Sequence, residues 1–152
     1  MDSDTSWYSP PALEQIWLGD DLGGPALSQY WIGVDLDGTL AIEDEWRGIE
    51  HIGTPIPRMV ERVKALIAEG HDVRIFTARA SRLQTEEERA IAIRCVEDWC
   101  ETHLGIRLPV TNEKDHRLRY FYDDRAIAVE CNTGNVVSAG TIKPLPCEME
   151  KQ

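Results

Sequence analysis

From Tyr30 onward the chain alternates between apolar runs and amphipathic segments. Y-W-I-G-V-D, residues 30–35, is apolar at consecutive positions and predicts a strand buried on both faces, as in parallel sheets. In P-R-M-V-E-R-V-K-A-L-I-A-E-G, the residues Met59, Val60, Val63, Leu66 and Ile67 share one helical face. Pro57 suits the first turn of that helix and Gly70 its end. D-V-R-I-F-T predicts a second strand, ending at Thr77. The next helix opens with Thr85 and Glu88 in capping-box spacing, and its acidic first turn complements the helix dipole. Ala92, Val96, Trp99, Cys100 and His103 mark its buried side. A short strand is expected at 108–111, another at 118–124 in L-R-Y-F-Y-D-D, and a last at 126–131 before an N-T-G turn.

Strand, helix, strand, helix, strand, strand is the order of an α/β domain with a mainly parallel sheet. Such sheets bind ligands beyond the carboxyl ends of their strands, at a switch point in strand order. Asp35, Asp37, Thr77, Lys114, Asp123 and Asp124 all fall at expected strand ends or just beyond them. Residues 1–29 read as an N-terminal arm, with one short helix around 11–18 between Gly- and Pro-containing loops, and residues 30–152 as the domain proper.

Composition narrows the function classes. A chain of 152 residues, 42% hydrophobic and 28% charged, reads as one soluble globular domain. Its formal net charge of −11 speaks against free nucleic acid as a partner, since like charge opposes a polyanion, yet leaves phosphorylated small molecules open if a metal ion neutralises the site. No apolar run approaches the roughly 20 residues that span a bilayer, so no membrane partner is expected. The start M-D-S-D-T-S-W carries acids where a secretory signal carries Lys or Arg. Cys95, Cys100, Cys131 and Cys147 form no CxxC and no zinc-type spacing, and read as reduced thiols of a cytoplasmic protein.

The stretch V-D-L-D-G-T-L sets Asp35 and Asp37 two positions apart where a buried strand ends. A D-x-D also occurs in calcium loops, in sugar transferases and as two solvated acids in a turn. Here a second pair, Asp123-Asp124, ends another strand, and four carboxylates converging on one site disfavour folding unless a divalent cation is bound. Oxygen donors without nearby His or Cys point to Mg²⁺ rather than zinc.

V-D-L-D-G-T-L, I-F-T-A-R, Lys114 in T-N-E-K-D, and Y-D-D-R-A resemble, in order, the four motifs of the haloacid dehalogenase (HAD) superfamily. The resemblance runs from about Tyr30 to Val129 and implies a three-layer Rossmann-like fold. It implies a Mg²⁺-dependent phosphomonoester hydrolase acting through an aspartyl-phosphate, with Asp35 as nucleophile and Asp37 as proton donor and acceptor. Mg²⁺ is then held by Asp35, the main-chain carbonyl of Asp37, and Asp124, with Asp123 assisting through water. Thr77 and Lys114 then bind phosphoryl oxygens, and Thr39, whose hydroxyl can bond the loop backbone, is a candidate substrate-binding residue. An acid at position 37 speaks for phosphate ester cleavage and against carbon–halogen cleavage, because halide leaves without a proton.

The stretches Thr39–Thr77 and Ala78–Lys114 leave no room for a cap domain, since even small domains need about 50 residues. An open site is expected, acting on a phosphorylated small molecule or nucleotide beneath a lid borrowed from another subunit of a homo-oligomer, or on a phosphoprotein. Trp7, Tyr8 and Trp17 make the arm a candidate for that lid. Arg79 has two readings, a substrate contact and a structural ion pair. Trp46 and Arg47 suit nucleotide stacking, or else a hydrophobic anchor beside surface charge. Lys114 competes with a solvated loop role, and Arg125 is expected to orient the acidic pair. Phosphotransfer, a non-catalytic binding module, and a sugar transferase using the D-x-D are the alternative functions.

Overall fold

The structure is a computed structural model that describes residues 29–82 and 85–138. The helix expected around 11–18, the arm as a lid, and Cys147 lie outside the described residues. Four strands, β1 (Trp31–Val34), β2 (Asp72–Phe76), β3 (Val110–Thr111) and β4 (Leu118–Tyr122), form one sheet in the order β3-β2-β1-β4. Every pairing in it is parallel. Helix α1 (Pro57–Ala68) connects β1 to β2, and α2 (Glu86–Leu104) connects β2 to β3. This is the α/β class expected, with no separate cap domain among the described residues.

Local chemistry accounts for the elements. Pro57 occupies the first turn of α1, where its missing N–H costs no hydrogen bond. Thr85 and Glu88 complete a reciprocal capping box on α2: the Glu88 N–H donates to Thr85 Oγ1 at 3.2 Å and the Thr85 N–H donates to Glu88 Oε2 at 3.1 Å. Gly105 follows α2 in the left-handed region. No helix of the described residues is long and apolar enough to cross a membrane.

The core lies between one sheet face and the two helices. Ile32, Val34, Val73 and Ile75 from the sheet meet Val63 and Leu66 of α1 and Val96, Trp99 and Cys100 of α2. Alternation turns Trp31 to the other face, where its Nε1 donates to Asp115 Oδ1 at 2.8 Å and the Arg74 guanidinium lies 5.0 Å from its ring. His103, expected on the buried side of α2, is only partly buried and leans its ring on Trp99 at 4.6 Å.

The last expected strand differs. Only Ala128–Val129 (β5) is extended, and it pairs antiparallel with Val136–Ser138 (β6) in a separate two-stranded sheet. Ala128, Val129, Val136 and Val137 are exposed, so the apolar side chains of this hairpin are not packed against the main sheet. Its turn is instead closed by polar bonds, with Thr133 Oγ1 and Asn135 Nδ2 donating to Glu130 Oε2.

Candidate functional site

The residue following each parallel strand is polar or acidic: Asp35 after β1, Thr77 after β2, Asn112 after β3 and Asp123 after β4. All four line one cleft of about 590 Å³. Strand order runs outward from β1 to β3 and then returns to β4 on the other side, so Asp35 and Asp123 flank the topological switch point.

The loop after β1 is tightly wound. Its first residue is fixed to β4 by the Asp35 N–H, which donates to the Tyr122 carbonyl at 2.9 Å. The Leu36 carbonyl then accepts from the N–H groups of Thr39, Leu40 and Ala41. Gly38 has φ +88°, and a Cβ there would stand 2.8 Å from Asp124 Oδ2. The missing side chain is what lets the second acidic pair approach the first. Thr39 Oγ1 accepts from the Asp124 N–H at 3.0 Å and lies 3.3 Å from Asp35 Oδ2 and 3.4 Å from Asp124 Oδ1. Its single proton serves one carboxylate at a time. Thr39 thus ties the two strand ends together rather than lining the cleft.

Carboxylate oxygens of Asp35, Asp123 and Asp124 lie within 4.8 Å of one another. The two arginines that line the cleft are committed elsewhere, Arg79 to Asp37 and Arg125 to Glu43. Burial, then the negative charge of Asp123, push the Asp35 pKa up to about 7; Asp124 and Asp37 add to the rise, and the Leu36 N–H opposes it. Three converging oxygen ligands, one of them held far above its ordinary pKa, and a cradle that a Cβ would fill together make a set that could hold a metal ion.

Asp37 stands apart from this trio. Arg79 Nε and Nη2 donate to its two oxygens at 2.7 and 2.8 Å, a bidentate pair in which Arg79 is 6% exposed. Arg79 Nη1 also donates to the Ile49 carbonyl at 3.2 Å, and the guanidinium lies 4.8 Å from the Trp46 ring centre. Of the two readings of Arg79, the structure shows the ion pair. The loop carrying Trp46 and Ile49 is closed at its base, where the Ile42 N–H donates to the Thr54 carbonyl at 2.8 Å. Gly53 there lies so near the Ile42 carbonyl that no side chain fits. Trp99 Nε1 of α2 donates to the Gly53 carbonyl at 2.9 Å, so the loop is moored to the core.

Thr77 is buried at the cleft floor, and its Oγ1 accepts from the Arg79 N–H at 3.2 Å. Trp46 lines the cleft and is 63% exposed. Arg47 does not line it; this exposed side chain pairs with Asp44 and Glu45. Lys114 is not brought to the site either. It is exposed on the loop after β3, which Asp115 draws to the opposite sheet face through Trp31 Nε1 and the Arg117 N–H. Arg125 donates its N–H to Asp123 Oδ1 at 2.6 Å, so its backbone, not its side chain, orients that carboxylate.

Sequence reasoning missed Asn112, whose Oδ1 is buried and without a hydrogen-bond partner among the described residues. Its position directly after a strand, equivalent to Asp35 and Thr77, was the available signal. Phe76 and Phe121, in edge-to-face contact at 4.8 Å, and Ile42 complete an apolar wall that was also not anticipated.

No family model matches the chain, and no curated protein is similar to it. A conserved protein from Bacteroides thetaiotaomicron is similar in structure, with a TM-score of 0.44 and 25% identity over 62% of this chain and 75% of that one.

Proposed function

We propose that the protein is a Mg²⁺-dependent phosphomonoester hydrolase that works through an aspartyl-phosphate, on a phosphorylated small molecule or nucleotide in the cytoplasm. The observation that carries this reading is the trio Asp35, Asp123 and Asp124 at the switch point, with a further acid, Asp37, kept outside it by its own arginine.

Asp35 attacks phosphorus, and the bond from phosphorus to the leaving oxygen breaks. Asp37 gives a proton to that oxygen and then takes one from the water that hydrolyses the acyl phosphate, releasing inorganic phosphate and free Asp35. Each Asp37 oxygen is engaged by Arg79 through one lone pair and keeps another for the proton. The Thr77 hydroxyl and the Asp37 N–H, which the turn after β1 leaves unused among the described residues, bind the phosphoryl oxygens. Asp35, Asp123 and Asp124, with the Asp37 carbonyl, would hold Mg²⁺, which would supply the positive charge that keeps Asp35 ionised and screens it from a phosphate dianion.

The test is hydrolysis of p-nitrophenyl phosphate with Mg²⁺, with and without EDTA, by wild type and Asp35→Asn. Metal-dependent turnover lost in the variant is expected. Turnover that survives EDTA or the substitution would refute the reading.

A further inference from the structure

The cleft is anionic beyond what its chemistry uses. Six carboxylate residues line it, Asp35, Asp37, Asp123 and the flap run Glu43-Asp44-Glu45, against two arginines. Both arginines are already paired to acids within the cleft. A divalent cation offsets the charge at the strand ends; on the flap, Arg47 pairs with Asp44 and Glu45 and Arg125 with Glu43, so three carboxylates against two arginines keep the flap run net negative beyond the phosphate. A second phosphate or a carboxylate on the substrate would meet acids there, with His51 as the remaining basic residue of the lining.

The same wall is apolar and partly aromatic. Trp46, Ile42 and Phe121 line the cleft at 63%, 49% and 38% exposure. The Arg79 guanidinium backs the Trp46 ring at 4.8 Å, and this, with the Ile49 contact of Arg79, holds the indole in place while most of it faces solvent. A fixed, exposed indole beside an edge-to-face phenylalanine pair is a stacking platform. A cavity of about 590 Å³ accommodates a phosphate with one or two rings.

The geometry points to a substrate class: a small phosphomonoester whose leaving part carries a flat aromatic ring and no second anionic group, with a positive charge on that part tolerated or favoured. This rests on the reading of the strand-end site as a phosphomonoesterase.

Four esters of similar leaving-group basicity separate ring and charge: benzyl phosphate, 4-(aminomethyl)benzyl phosphate, 4-carboxybenzyl phosphate and ethyl phosphate. With Mg²⁺ and the full chain, kcat/KM for benzyl phosphate should exceed that for ethyl phosphate and for the carboxylate by at least about tenfold. The aminomethyl ester should match or exceed benzyl phosphate. Trp46→Ala should remove most of the ring preference, and the combined Glu43→Gln, Asp44→Asn and Glu45→Gln variant most of the carboxylate penalty. Calorimetric titration of Asp35→Asn with the same esters reads selection without turnover. Turnover with equal kcat/KM across the four would overturn this inference alone. Absent turnover with the binding order preserved would overturn the phosphatase reading and leave the selectivity standing. Absent turnover with no binding order would overturn both.

Discussion

Removing the charge of Asp35 should make the metal-free protein more stable while abolishing its proposed chemistry. In the folded protein the Asp35 pKa lies at about 7, against 3.8 as the ordinary value, with burial and then Asp123 as the leading causes. At about 1.4 kcal/mol per pH unit, that difference corresponds to ~4 kcal/mol of destabilisation once the group is ionised. Part of the carboxylate is open to the cleft, and solvent screening brings this to roughly 2 kcal/mol. Because the folded value lies above the unfolded one, the folded chain holds the extra proton between the two values. The associated stability is therefore present at low pH and is lost as pH rises through about 7.

The assay is thermal unfolding in EDTA from pH 5 to pH 8. Wild type should lose melting temperature across that range, and Asp35→Asn should be flat. At pH 8 the variant should melt higher by about 4–8 °C, given roughly 2–4 °C per kcal/mol for a chain of this length. Adding Mg²⁺ should raise wild type and largely spare the variant. An Asp35→Asn protein that melts no higher than wild type at pH 8 without metal would refute the electrostatic account of the cluster.

Gly38→Ala sets a Cβ 2.8 Å from Asp124 Oδ2 at a positive φ; Mg²⁺ affinity by calorimetry should fall by about 10–100-fold, and unchanged affinity would refute the cradle. Arg79→Lys cannot keep the two-point contact with Asp37; kcat should fall by roughly 100-fold for benzyl phosphate and far less for p-nitrophenyl phosphate, whose leaving group needs little protonation. Equal losses on both esters would assign Arg79 to phosphate binding instead. Trp99→Phe removes the hydrogen bond to the Gly53 carbonyl and should cost about 1 kcal/mol in denaturant unfolding.

Much of the frame was legible because periodicity reports burial directly. The face of α1 from Met59 to Ile67, the capping box at Thr85 and the strand ends at Asp35, Thr77 and Asp123 are all local features. What escaped was non-local. Asn112 carries no pattern of its own and acquires a place only because β3 pairs with β2, which sets Thr111 beside Phe76. Lys114 follows the same strand, but Asp115 anchors its loop to Trp31, on a strand more than 80 residues away in sequence. For Arg79, sequence left contact with substrate and contact with protein equally open. Its bond to Asp37 spans 42 positions and is decided by adjacency of the β1 and β2 ends. The strand expected at 126–131 is present only as Ala128–Val129, and its partner Val136–Ser138, which puts it in a sheet of its own, carried no signal that was read.

The acids near the switch point are treated unequally. A fold that needed only to tolerate them could have given each an arginine, since an opposite charge offsets the repulsion between acids. Instead one buried arginine is spent on Asp37, two positions from Asp35, while the trio keeps its mutual repulsion. Asp37 is thereby oriented by the protein itself, and Asp35 is left to respond to whatever positive charge enters the cleft. Gly38, the residue after Asp37, permits the arrangement by yielding its side-chain volume to Asp124. The division also links stability to loading: the charge that destabilises the trio is what a bound cation would offset.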